Sequence, residues 1–498
     1  MSTPKLRPSR DIAGFSLVEA DLAALAESGA HGSLVDRIFT LVSSAIQSRK
    51  IVTGVRLPSV RQLAEDCGIS RDTAARAYDK LVAHGLVESR RGAGYFVKAA
   101  AIRRVPDRAP PQRPSLFRPD GLDRTTALRL RLQIQRHEQP AQSRSGIGIL
   151  PEDWMDEQDI AAALRTVARG NQRALATIGD PQGYLPLRQR LQLKLQDMGL
   201  HVDPAHLILT SGATDAINLV ALSFLRRPGE AVLVEQPCQP ILVERLMSVG
   251  LELLYVPREA DGPDLEVLRA HCINYKPRCF FVNSTLHNPT GMNLAPHKAF
   301  QLLKLAEEFD LMLIEDDTYG DLASVGNGAV TRLAPLDQLQ RVIHIGSFSK
   351  TIAPGLRVGY LAASPERIEW MATYRALNCL ASSSLAERTV YQLLSQGNYR
   401  HHCEQLRARL TDLRPRAIEQ LQKLGIRTAH EPDAGFYLWA DLGKDVDALK
   451  LAHQLLSQGH LTAPGILFSL AHPSYMRFNI ATMLEGAGLP ALARALGR

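Results

Sequence analysis

Paired cysteines are missing from this chain. Its six cysteines, Cys67, Cys238, Cys272, Cys279, Cys379 and Cys403, include no CxxC spacing among 498 residues. A disulfide framework or a zinc ribbon is therefore not expected. No apolar run reaches the length of a membrane span. The first residues, Met1-Ser-Thr-Pro-Lys-Leu-Arg-Pro, lack the apolar core of a secretory leader. The expected setting is a reducing cytoplasm, with no membrane partner. His401-His402-Cys403 could pass for a metal cluster. Adjacent residues on a helix point in different directions, so a solvated helix face is expected there, and no metal.

What is present is ordinary for a soluble globular protein: 45% apolar and 22% charged residues. A chain of this length should fold as two or three domains. The net charge of +7 is unevenly spread. Residues 1–98 carry 14 Lys/Arg against 10 Asp/Glu, and residues 99–145 carry 10 against 4. That leaves 34 against 37 for the remainder. A basic front on a mildly acidic body suits a polyanion partner; a solvated basic linker is the alternative.

After an extension over 1–32, Leu34, Ile38, Leu41, Val42, Ala45 and Ile46 recur at helical spacing, in a helix region that Gly54 ends. Ser59 is an N-cap for a second helix with Val60, Leu63 and Ala64 on its apolar face. Ser70 caps a third, Arg71 to about His84, with Ala74, Ala77, Tyr78, Leu81 and Val82 inside. Leu86–Ser89 and Gly94–Val97 read as strands joined by Arg90-Arg91-Gly92-Ala93. Residues 33–98 thus spell an α+β winged helix-turn-helix, whose third helix would enter a major groove by its N-terminus. Residues 99–145 contain six prolines and many arginines. They read as a semi-rigid basic tether with one helix around Thr125–His137.

From Gly146 to 498, apolar strands alternate with helices. Leu207–Leu209, Ala231–Val234, Leu253–Val256, Cys279–Val282, Met312–Ile314 and Val342–Ile345 are the expected strands. This is the pattern of an α/β domain with a mainly parallel sheet, plus a small C-terminal part from about 385. Polar motifs stand at the strand ends, where such sheets bind ligands. Thr210-Ser211-Gly212-Ala213-Thr214 opens a helix whose free amides suit a phosphate. Asn288-Pro-Thr-Gly and Glu315-Asp316-Asp317-Thr-Tyr319 follow two other strands. Ser347-Phe-Ser349-Lys350 and Arg357 follow the last. A lone lysine there would usually be a surface charge. Ser347 and Arg357 suit a phosphate, and a lysine beside a phosphate can form a Schiff base once its amine is partly desolvated. Arg477 lies on an apolar strand, Tyr475-Met-Arg-Phe-Asn479, and an inward arginine wants a carboxylate.

Leu57-Pro-Ser-Val-Arg61 through Gly94-Tyr-Phe-Val97 closely resembles the GntR-type DNA-binding domain. The resemblance implies that Arg61, Ser70, Arg71 and Thr73 approach double-stranded operator DNA, with Arg91 and Gly92 at the wing tip. The later motifs, in order, resemble fold-type-I pyridoxal 5'-phosphate (PLP) enzymes of the aminotransferase class. By that resemblance Lys350 forms the internal aldimine and Asp316 pairs with the pyridine nitrogen. Asn288 and Tyr319 bond the ring oxygen. Gly212, Ala213, Thr214, Ser347 and Arg357 hold the phosphate, and Arg477 takes an α-carboxylate. Two positions depart from the pattern: Gln239 stands where relatives carry a stacking aromatic, and Ile178 where a partner subunit often supplies a tyrosine. The two halves together resemble MocR-type transcriptional regulators. That implies a dimer whose effector is PLP or a PLP–amino acid adduct. A working aminotransferase with its own DNA-binding domain, and a PLP-binding scaffold without turnover, are the alternatives.

Overall fold

A computed structural model describes residues 33–47, 51, 54–90, 93–98, 142–170, 176–225, 227, 229–323 and 330–498. The expected extension over 1–32, the linker helix, and Arg91 and Gly92 lie outside the described residues. The chain divides into two compact units, Met1–Arg118 and Pro119–Arg498.

The first unit contains α1 (Leu34–Gln47), α2 (Val60–Asp66), α3 (Arg71–Ala83) and the hairpin strands β1 (Val87–Arg90) and β2 (Gly94–Val97). The described part of helix α1 is Leu34–Gln47, and Gly54, the expected end of this region, is left-handed (φ +83°). Its Ile38 and Val42 are buried with Leu63, Ala74, Ala77, Leu81, Val87 and Val97 in one small core. Ser59 and Ser70 are the N-caps: their hydroxyls accept the amides of Gln62 and Thr73, each at 3.1 Å. Tyr78 is buried, and its hydroxyl donates to the Pro58 carbonyl at 2.8 Å. That bond ties α3 to the turn leading into α2, so the angle of the helix-turn-helix is set by a buried phenol.

The second unit is built on an eight-stranded sheet in the order β3-β10-β9-β8-β7-β4-β5-β6. Its strands are β3 (Leu207–Thr210), β4 (Ala231–Gln236), β5 (Glu252–Glu259), β6 (Gly262–Pro263), β7 (Cys279–Val282), β8 (Met312–Asp316), β9 (Val342–Ser347) and β10 (Gly359–Ala362). The pairs β5/β4, β4/β7, β7/β8 and β8/β9 are parallel. Strand β10, absent from the sequence reading, runs antiparallel between β9 and β3. It follows the Arg357 turn too closely for a crossover helix, and a strand returning by a short connection must pair antiparallel.

Alternate residues of each central strand enter different cores. Phe280 and Val282 pack with Leu191 and Leu302 on one face, while Cys279 and Phe281 join Val220, Ile343 and Ile345 on the other. A sheet covered on both faces explains why these strands read as unbroken apolar runs. A second sheet, β11-β12-β14-β13, contains β11 (Arg427–Thr428), β12 (Tyr437–Asp441), β13 (Ala463–Pro464) and β14 (Tyr475–Asn479). Residues 142–150 are bound to this small sheet region: the Asn479 amide donates to the Ser145 carbonyl at 2.7 Å, and Gly146 donates to Leu461 at 2.9 Å. Cys403 is buried, not on a solvated face, and no metal-ligating cluster occurs among the described residues. No helix among them is long and apolar enough to cross a membrane.

Phe280 is fully buried at the centre of the large sheet. Phe280→Ala should destabilise the second unit by about 3–5 kcal/mol through lost burial and a residual cavity. A urea titration followed by far-UV circular dichroism measures this loss; an unchanged midpoint would contradict the packing.

Candidate functional site

The carboxyl ends of β3, β8 and β9 deliver Thr210, Asp316 and Ser347 to the same edge of the large sheet. Lys350 lies three residues beyond β9. Its Nζ donates to the Gly148 carbonyl at 2.7 Å and stands 5.9 Å from the centre of the Tyr319 ring. Burial, with the positive charges of Arg477 and Arg357, lowers its pKa from the ordinary lysine value to about 8; Asp316 opposes this. An amine in that range is neutral often enough to act as a nucleophile.

Asp316 closes β8. Its Oδ1 accepts the Thr318 amide and its Oδ2 accepts Gln239 Nε2, each at 3.0 Å. Burial pushes its carboxyl pKa upward. Asn283, just past β7, fastens this corner: its Nδ2 donates to the Asp316 carbonyl at 2.6 Å and its Oδ1 accepts the Asn288 amide at 2.8 Å. Behind it the buried Glu235 accepts the Asn283 amide at 2.8 Å and pairs with Arg258.

Asn288, Tyr319 and Arg477 form one polar chain. Arg477 Nη1 donates to Asn288 Oδ1 at 2.8 Å, and Asn288 Nδ2 donates to the Tyr319 hydroxyl at 3.1 Å. Tyr319 meets the Tyr437 hydroxyl at 3.3 Å. Burial raises the Tyr319 pKa well above the phenol range, so it remains a donor. Arg477 Nη2 donates to the Gly146 carbonyl at 2.7 Å, and the guanidinium lies 4.2 Å from the Tyr437 ring centre and 4.9 Å from that of Phe468. Its Nε is buried without a hydrogen-bond partner.

Gly212 has φ +83° and precedes the helix Ala213–Phe224, whose first amides have no partner inside the helix. A Cβ at Gly212 would lie 2.7 Å from Arg357 Nη2. Arg357 itself is left-handed (φ +50°) and donates to Ser349 Oγ at 3.2 Å and to the Ser211 carbonyl at 3.1 Å. Ser347 is buried, and its Oγ accepts the Ser349 amide at 3.2 Å. A bare backbone, a helix start, a hydroxyl and a guanidinium thus line one cradle. Among the described residues, neither Lys350 nor Arg357 nor Arg477 has a carboxylate within ion-pair distance; the hydrogen-bond acceptors they use are neutral.

Every sequence-predicted residue of the second unit therefore gathers at this edge. The sequence reading missed Gly146, Gly148, Tyr437, Phe468 and the bond from Gln239. Tyr437 sits in an apolar strand that reads as core, and Gly146-Ile-Gly148 carries no motif. Ile178 is 77% exposed.

In the first unit Arg71 begins α3 and is exposed, as is Arg61 on α2, where its Nε pairs with Glu65 at 2.9 Å. Thr73 is half-buried, and its hydroxyl lies 2.8 Å from Ser70 Oγ. Ser70 is therefore first a cap. Arg61 lies in the first turn of α2, and Ser70, Arg71 and Thr73 lie at the start of α3.

Residues 34–97 match the family model of bacterial regulatory proteins, gntR family. Residues 146–495 match that of aminotransferase class I and II. The chain is 27% identical over 419 residues to the uncharacterized HTH-type transcriptional regulator YisV of Bacillus subtilis, spanning 83% of this chain and 85% of that one. It is 29% identical over 442 residues to the uncharacterized HTH-type transcriptional regulator YdcR of Escherichia coli, spanning 86% and 91%. Among solved structures it is similar to LysN, the alpha-aminoadipate aminotransferase of Thermus thermophilus, complexed with N-(5'-phosphopyridoxyl)-L-leucine. That likeness has 25% identity and a TM-score of 0.67 over 74% of this chain and 94% of LysN. The chain belongs to the aminotransferase class I and II family and carries a gntR-family DNA-binding domain ahead of it, the architecture of the MocR-type regulators.

Proposed function

We propose that the protein is a PLP-responsive transcriptional regulator that binds operator DNA through its first unit and acts as a cytoplasmic homodimer. The supporting observation is the convergence of Lys350, Arg357 and Arg477, none paired with a carboxylate, around a half-buried Asp316. Such a site calls for a ligand that brings anions. The residues fit PLP. The Gly212 cradle has room only because that residue lacks a Cβ. With Ala213, Thr214, Ser347 and Arg357 it would hold the phosphate. Asp316 would accept from the pyridine nitrogen, Asn288 and Tyr319 would bond the ring oxygen, and Lys350 would carry the cofactor as a Schiff base. Bound there, PLP would supply an electrophilic carbon and an electron sink. Arg477, with its orphaned Nε, would receive the carboxylate of an amino acid joined to PLP as effector.

The dimer rests on exposed apolar surface. Ile178, Leu380 and Leu385 are exposed around a cavity of about 380 Å³ lined by 177–179 and 379–385, the kind of patch a second copy would cover. Lys350 and Arg477 also suggest how the site could signal. They hold the Gly148 and Gly146 carbonyls, in the segment that follows directly on the basic tether. A ligand that engages both cations would loosen that segment. A working aminotransferase is the second reading, favoured by the assembly of all the polar residues that the resemblance assigns to catalysis.

A gel shift on the DNA upstream of the protein's own gene tests the first reading. PLP should change the affinity of the wild type and leave that of Lys350→Ala unchanged. The variant should also hold no borohydride-reducible PLP. Rapid multiple turnover of an amino acid and a 2-oxo acid would favour the second reading instead.

The lowered lysine pKa makes loading pH-dependent. The neutral amine grows as pH rises through about 8, so the rate of PLP capture should rise with a midpoint near that value. Arg477→Ala removes a neighbouring positive charge and should move the midpoint upward, toward that of an ordinary lysine. Stopped-flow absorbance across pH 6–10 (about the window that brackets both forms) reads the two midpoints; coincident midpoints would contradict the electrostatic account.

On the DNA side, Arg71→Ala should weaken operator binding by about 1–3 kcal/mol and relax specificity at one base, with bound PLP unaffected. Wild-type affinity and specificity in a competition assay at near-physiological salt would place recognition elsewhere.

A further inference from the structure

Gln239 occupies the N-cap position of the helix Pro240–Ser248, yet its side chain makes no capping bond. The amide is turned instead toward the sheet, where Nε2 reaches Asp316 Oδ2 at 3.0 Å. Asp316 has no cation within ion-pair distance among the described residues, and its other oxygen is taken by the Thr318 amide. A half-buried carboxylate with so little direct support depends on each neutral donor it has. Gln239 reaches it from a different element, across the small cavity that also touches Asn283, His287 and Asn288.

We infer that Gln239 is a positioning residue for Asp316: its amide holds the carboxylate ionised and aimed, with the second lone pair of Oδ2 left for a ring N–H. The inference rests on the PLP reading above and adds a role for a residue that the family pattern leaves without one. An aromatic at this place would offer a face to the ring and no amide to the carboxylate. The departure at 239 therefore replaces one way of holding a heterocycle by another. The original stacking contact acts on the ring directly; here the grip passes through Asp316.

The two modes separate in a double-mutant cycle on the full chain, with PLP affinity and the absorption spectrum of bound PLP as readouts. Gln239→Met keeps the length of the side chain and removes the donor. It should weaken PLP binding about tenfold, as for loss of a hydrogen bond to a charged group. Gln239→Glu, which sets a second carboxylate beside the first, should weaken it further. In an Asp316→Ala background, Gln239→Met should change PLP affinity less than about twofold and leave the spectrum where Asp316→Ala put it, because the acceptor is already gone. Far-UV circular dichroism confirms that each variant is folded, and Gln239→Leu serves in place of any Met variant that is not. Additive losses in the two backgrounds, or wild-type affinity in Gln239→Met, would overturn the inference. Failure of the wild-type protein to bind PLP at all would instead overturn the reading on which it rests.

Discussion

An excess of positive charge without ion-pair partners shapes the second unit. Arg477 is buried, Lys350 half-buried and Arg357 exposed at one edge of the sheet, and the carboxylate that acts on Lys350 is Asp316, whose own ionisation burial opposes. Cations removed from water without counter-ions are held at a cost, and neutral acceptors offset it only in part. The surrounding structure is arranged around that imbalance. Backbone carbonyls of Gly146, Gly148 and Ser211 are turned toward the three cations, and the Tyr437 and Phe468 rings flank Arg477. The same imbalance lowers the lysine pKa and makes the edge receptive to anions.

The fold supplies the place for this. Parallel strands all point their carboxyl ends one way, so motifs far apart in the chain arrive side by side. Asp316 and Ser347 close adjacent strands, and antiparallel β10 brings Arg357 back beside Gly212. The cores on the two faces hold the strand ends rigid. The remaining wall comes from the small sheet, through Tyr437 and Arg477, and from residues 146–148, which hydrogen-bond to that sheet region. A site built from two sheets and one crossing segment can respond to a ligand by moving one part against another. A regulator and an enzyme would both use that property.

Much was legible in the sequence because the physics there is local. Ser59 and Ser70 cap helices by bonding amides three residues on, so position alone announces them. The apolar runs from Leu207 to Ile345 are strands because both faces of the sheet are covered, and every one of them is found at its expected place, Cys279–Val282 with the same bounds and the others extended by one to a few residues. The polar residues after those runs stand at strand ends by construction. The winged helix-turn-helix is equally local, since its helices, caps and hairpin follow one another without long-range pairing.

Tertiary structure decided what depends on distance through space. No pattern in Gly435-Phe-Tyr437-Leu-Trp marks a site tyrosine, because Tyr437 gains its role only when β12 and β14 place it against Arg477. Gly146 and Gly148 are ordinary residues until their carbonyls meet cations more than two hundred positions later. Strand β10 is too short to announce itself and exists through pairing with β3 and β9. Gln239 shows the division most sharply. From its type and place in the chain, it could be known only to lack an aromatic face. That its amide ends on Asp316 follows from the register of β4 beside β7 and β8, which brings side chains 77 positions apart within a hydrogen bond.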